Sequence, residues 1–141
     1  MVLPDVNILI YAHRVEAGKN ERYAAWLTAV ALGPSPFALS EPVLQAFVRI
    51  VTNGRIFDPP STLAETFAFI DALTGRPNCI VLRPGVNHQA IFRRLCQEHD
   101  LKSKLVADAA HAALAVEFGC EWVSADTDFA RFAPLLRFRH L

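Results

Sequence analysis

Five carboxylates carry the chemistry this sequence can be read for: Asp5, Glu41, Asp108, Asp126 and Asp128. Asp5 closes the apolar run Val2-Leu3-Pro4, and Glu41 lies two residues past Phe37-Ala38-Leu39. Asp126 and Asp128 follow Trp122-Val123-Ser124, and Asp108 opens the alanine-rich stretch that leads there. In a parallel α/β arrangement all five fall at element ends, where sites of that architecture form. Like charges a few ångströms apart cannot all stay ionised without a cation. Oxygen-only donors select hard divalent ions, Mg²⁺ or Mn²⁺, over zinc. Such a site activates a water and neutralises the charge that develops on a phosphoryl group during in-line displacement.

Each acid has an ordinary reading when taken alone. Asp5 can be a turn residue, and Glu41 in a first helical turn gains about 0.3–1 kcal/mol from the helix dipole. Asp126 can cap a short helix running to Phe132, with Asp128 in its first turn. Asp108 has Lys104 one turn before it as a possible partner, and no basic residue three or four positions after it. Their grouping, not any one of them, points to chemistry.

Other recipes are missing. There is no GxxxxGK[ST] or GxGxxG phosphate cradle, no GxSxG elbow and no HExxH, and the five histidines are scattered. Cys96 and His99 share a helical face, but Cys96 follows Phe92 and Leu95 and reads as core, as do Trp26 and Trp122. A phosphotransferase with an aspartyl nucleophile of the haloacid dehalogenase type would carry a second acid two residues after Asp5, where this chain has Asn7.

The elements that must position these acids are short strands between longer helices. Strands are expected at Val2–Asp5, Phe37–Leu39, Cys79–Leu82, Trp122–Ser124 and Leu136–His140. Helices are expected at Ile8–His13 with Asn7 as cap, Asn20–Leu32, and from a Ser40 cap through Pro42 to Val51. Three more follow: Thr62–Leu73 with Leu63, Phe67, Ile70 and Leu73 on one side, a helix from about Asn87 through His99, and Leu105–Phe118 closed by Gly119. The alternation argues a parallel α/β sheet with helices on both faces.

At 141 residues the chain is read as one domain, 1–141. Its 52% apolar and 20% charged residues exclude a disordered chain. Three widely spaced cysteines without a CxxC pair suit a reduced cytoplasmic protein with small buried thiols. No apolar run approaches the roughly 18 residues of a membrane span, and no signal-peptide pattern opens the chain. A soluble cytoplasmic protein, not one of the membrane, is therefore expected. The 14 basic and 14 acidic residues cancel. With five acids committed to a metal, nine remain against 14 basic residues, a balance of +5 for the rest of the molecule. Zero net charge thus does not exclude a phosphate backbone as partner. Arg49, Arg55, Arg93, Arg94, Lys102 and Lys104 are candidates for contacting one.

Four segments, taken in order, match a known family. Asp5-Val6-Asn7, Ser40-Glu41, Asp108-Ala109-Ala110-His111-Ala112-Ala113-Leu114-Ala115 and Ser124-Ala125-Asp126-Thr127-Asp128-Phe129 resemble the motifs of PIN-domain ribonucleases, and most of all the VapC toxins of toxin–antitoxin pairs. The resemblance implies a three-layer α/β/α PIN-like fold with a short, mainly parallel central sheet. It implies Mg²⁺ or Mn²⁺ as cofactor and cleavage of single-stranded regions of RNA. Asp5, Glu41, Asp108 and Asp126 fall on the family's catalytic acids; Asp5, Asp108, Asp126 and Asp128 would hold metal, with Asn7 and Ser124 in support. Ser124 stands where relatives often have threonine, and keeps the hydroxyl. In many relatives a histidine falls closer to the third acid than His111 does here, so His111 is given no role. A homodimer and a small protein antitoxin seated near the acids are further implications. The alternative is a catalytically silent PIN-like binding module.

Overall fold

The computed structural model describes residues 1–15 and 20–141. Five strands form one sheet: β1 (Val2–Pro4), β2 (Phe37–Ser40), β3 (Cys79–Leu82), β4 (Glu121–Ser124) and β5 (Arg137–His140). Their spatial order is β3-β2-β1-β4-β5, and every neighbouring pair is parallel. The helices are α1 (Val6–His13), α2 (Asn20–Leu32), α3 (Glu41–Val51), α4 (Leu63–Thr74), α5 (His88–Glu98) and α6 (Lys104–Glu117). A 3-10 helix at Thr127–Phe132 follows β4. Helix α1 packs on α2 and α3, α3 packs on α4, and α5 pairs with α6. The result is the three-layer α/β/α arrangement.

The central strands are buried on both faces, as a parallel sheet requires. All of β2 is buried, and Leu3, Trp122 and Val123 are without exposed surface. The sheet's edges are not: Ile80 and Val81 of β3 and most of β5 face outward. Phe47, Leu95, Ala112 and Leu136 are among the residues closing the helical layers over the sheet. Alanines at 109, 112, 113 and 115 let α6 lie close to its neighbours, and Gly119 ends the helix at φ +63°.

Several local expectations need correction. The cap of α1 is Asp5, whose carboxylate accepts from the Val6 N–H, and Asn7 lies inside the helix. Asn87 stands at the N-cap position of α5 but makes no side-chain capping bond. Helix α6 begins at Lys104, so Asp108 sits in its second turn and does not start it. Of the four residues expected on one side of α4, Ile70 and Leu73 are buried, but Leu63 and Phe67 are 58% and 48% exposed, and Thr66 is buried as well. Cys79 and Cys96 are only half-buried, Cys120 is buried, and all three are free thiols. Trp26 is also half-buried, with the Arg139 guanidinium 5.9 Å from its ring centre. Among the described residues, no helix is long and apolar enough to cross a membrane.

Candidate active site

The acids stand along the carboxyl edge of the sheet because the strands that deliver them are parallel neighbours. Asp5 follows β1, Glu41 follows β2, and Asp126 follows β4. Pairing of Pro4 with Val123 and of Ser40 with Leu82 aligns the strand ends. The Asp5 N–H donates to the Val123 carbonyl at 2.8 Å, locking the end of β1 to β4.

Asp5 is the most constrained of the set. It is 5% exposed. Its Oδ1 accepts from the Val6 N–H at 2.6 Å. Its Oδ2 accepts from the Ser124 hydroxyl at 2.6 Å and from the Asn7 amide at 2.9 Å. Burial raises its pKa to about 6, against the lowering pull of the Ser124 and Val6 donors; repulsion from Asp108 and Asp126 adds to the rise. Asn7 and Ser124 therefore form a bracket for this carboxylate. The Asn7 Nδ2 also donates to Ser124 Oγ, its Oδ1 accepts from the Ala125 N–H, and Ser124 Oγ accepts from the Asp126 N–H.

Asp108 approaches from α6. Burial raises its pKa, and the charge of Asp126 raises it further while Lys104 opposes. Its Oδ2 is buried and accepts no hydrogen bond, a costly state for a carboxylate oxygen unless something else meets it. Asp126 caps the 3-10 helix through a 2.9 Å bond from the Asp128 N–H to its Oδ1.

Two acids at the margins are paired with cations. Asp128 Oδ2 accepts from Lys104 Nζ at 3.1 Å, and Arg131 lies 3.5 Å from its Oδ1. The Lys104 bond holds the Asp128 carboxyl below its ordinary range. On the other side, Glu41 Oε1 is 2.7 Å from Arg83 Nε. Asp5, Asp108 and Asp126 thus form the mutually repelling centre, Asp128 acts on Asp108, and Glu41 stands apart with Arg83. Among the described residues, no three His, Cys, Asp or Glu side chains are already converged as an ion's ligand set. His111 stacks on Trp122 with ring centres 5.5 Å apart, a packing place within the core.

Arg83 and Arg131 are site neighbours that sequence reasoning did not single out. Arg131 could have been found from its i+3 spacing to Asp128 on the short helix. Arg83 could not, because its partner is fixed by the β2–β3 register.

The PIN domain family model matches residues 2–135. The chain is 40% identical to Ribonuclease VapC31 of Mycobacterium tuberculosis over 139 residues, covering 99% of this chain and 98% of the relative. The chain belongs to the VapC family of PIN-domain proteins. VapC25 of the same organism is 39% identical over 139 residues, with the same coverage. Among solved structures, VapBC2 from Rickettsia felis, bound to a DNA fragment from its promoter, superposes with a TM-score of 0.71 at 16% identity, covering 99% of this chain and 98% of that one. Mycobacterium tuberculosis VapC20, described as a sarcin-ricin loop cleaving toxin, gives 0.65 at 16% identity and 99% coverage of both chains. At those identities the structural likeness shows that this VapC-family chain has the PIN fold.

Proposed function

We propose that this chain is a Mg²⁺- or Mn²⁺-dependent endoribonuclease, the toxin of a toxin–antitoxin pair, with RNA as its substrate. The observation that carries the reading is the buried, unpartnered Asp108 Oδ2, set beside the raised carboxyl of Asp5, with the Asp126 charge repelling both. A hard divalent ion fits that donor set, since it removes the repulsion and meets the orphaned oxygen. Asp5, Asp108 and Asp126 would hold it, with Asp128 as the outer acid. When bound, it supplies charge neutralisation at the phosphoryl group and a lowered pKa for water.

The chain's own groups supply the rest. Ser124, Asn7 and the Val6 N–H hold Asp5 in one orientation, so its carboxylate needs no rearrangement at the moment of reaction. Glu41, 36% exposed in its side chain, orients the attacking water and accepts its proton. The water oxygen bonds to phosphorus, and the leaving oxygen departs with its electron pair and takes a proton from solvent. A small antitoxin and a second copy of the chain complete the proposed assembly. Support for the antitoxin comes from the VapBC pairs among the structural neighbours.

The test is cleavage of tRNA and rRNA by the purified chain in Mg²⁺, in Mn²⁺ and in EDTA, beside Asp5→Ala. Cleavage in either metal, lost in EDTA and in the variant, is expected. Cleavage that survives both would overturn the assignment. Absence of divalent-ion binding by calorimetry, with the antitoxin stripped away, would favour the silent binding module.

A further inference from the structure

We propose that Arg83 and Lys104 are a phosphate clamp: two cations flanking the acidic centre that grip the backbone of a single-stranded RNA on either side of the bond to be cut. The inference rests on the ribonuclease reading above.

The placement follows from the sheet. Along the carboxyl edge the order is Arg83 after β3, Glu41 after β2, Asp5 after β1 and Asp126 after β4. With neighbouring strands about 4.8 Å apart, the line from Arg83 to Asp126 spans roughly 14 Å. Lys104, the first residue of α6, reaches the far end of that line through Asp128. Among the described residues, the central acids Asp5, Asp108 and Asp126 make no ion pair at the salt-bridge distances seen for the outer two.

Neither cation is where it is for stability. Arg83 and Lys104 side chains are 75% and 72% exposed, and exposed pairs of this kind stabilise a fold very little. Their exposure leaves them free to pivot from a carboxylate to an incoming phosphate. Arg83 suits a bidentate grip on two phosphate oxygens, and Lys104 acts as a point charge. In the resting molecule Glu41 and Asp128 park these cations beside the site. When a divalent ion neutralises the central acids, the two flanking cations make the margins of the edge attractive to a polyanion.

The experiment follows binding of a fluorescently labelled oligouridylate in Mg²⁺ by anisotropy across a salt series, with the oligonucleotide checked for integrity afterwards. Each phosphate contact contributes about 0.7 to the slope of log affinity against log salt for a single strand. Arg83→Ala and Lys104→Ala are each expected to lower that slope by about 0.7, and the double variant by about 1.4. Arg83→Lys, which keeps the charge, is expected to restore the slope, and it guards against misfolding of the alanine variant. In cleavage assays the alanine variants are expected to raise KM with kcat largely kept. An unchanged salt slope in folded variants overturns the clamp, as does a fall in kcat alone, which would make Arg83 only a support for Glu41. Wild-type protein that neither binds the oligonucleotide nor cleaves RNA in Mg²⁺ would bring down the ribonuclease reading itself, and the clamp with it.

Discussion

A carboxyl group buried among donors and other carboxyls couples the fold to pH. Asp5 titrates near 3.8 when unfolded and at about 6 in the folded chain, chiefly because burial disfavours its charge. The folded state therefore keeps this proton over a range where the unfolded chain has released it. Stability from this group is greatest below pH 3.8, falls as pH rises toward about 6, and is flat above that. A rise of that size is worth about 3 kcal/mol across the window. Urea titrations in EDTA should show the effect as a difference between proteins. Wild type should lose stability relative to Asp5→Asn between pH 4 and 6, and the gap should be constant above. A gap that does not vary with pH would mean that Asp5 is ionised as readily in the fold as in solution. Addition of Mg²⁺ should stabilise wild type, about 2.7 kcal/mol at a hundredfold excess over Kd, and Asp108→Asn should remove that response.

The positions of these side chains depend on strand register, and register depends on contacts far from the acids. Asn78 shows how. Its amide donates to the carbonyls of Gly33 at 2.9 Å and Ser35 at 3.0 Å, and its backbone carbonyl accepts from the Phe37 N–H at 2.9 Å. One residue thus joins the end of α2 to the start of β3 and fixes how β2 and β3 align. Ser40 then lies opposite Leu82, which places Glu41 and Arg83 side by side. Asn78→Ala leaves those carbonyls short of a donor and should cost about 1–3 kcal/mol in urea unfolding. If it also shifts register, the Arg83-dependent part of RNA binding should fall with it; a loss of stability without that fall would confine Asn78 to the fold. In the sequence, Asn78 reads only as part of the Gly75–Asn78 turn, because its amide's partners are 43 to 48 positions away. Local signals were plain: Asn20–Leu32, the Ser40 cap with Pro42, Cys79–Leu82 and Gly119 stand where spacing and capping put them. The inward face of α4 was not, since Leu63 and Phe67 fit the helical period of Ile70 and Leu73 yet stay half-exposed. The candidate acids were legible as a group because strand ends in a parallel sheet share one edge. The pairings of Arg83 with Glu41 and of Lys104 with Asp128 were not, because pairing across that edge is set by the fold.

At the scale of the molecule, zero net charge conceals a division. Five of the 14 acids stand along one edge, and the remaining nine face 14 basic residues. An RNA strand approaching the acidic edge without a divalent ion meets Asp5, Asp108 and Asp126 as repulsive charges. Two unit charges about 10 Å apart in water interact by roughly 0.4 kcal/mol, so two such acids oppose a nearby phosphate by about 0.8 kcal/mol at low salt. The double variant Asp5→Asn with Asp108→Asn should therefore lose cleavage and yet bind the oligouridylate about two- to fourfold more tightly than wild type in EDTA. Salt near physiological strength, with a Debye length of about 8 Å, should shrink that gain. Mg²⁺ should raise wild-type affinity more than that of the double variant, because the variant has lost two of the three charges that the ion would neutralise. Anisotropy in EDTA and in Mg²⁺, at low and at moderate salt, separates these outcomes. Weaker binding by the double variant in EDTA would mean that the acids assist RNA directly, and that repulsion along the carboxyl edge does not govern how the polyanion enters.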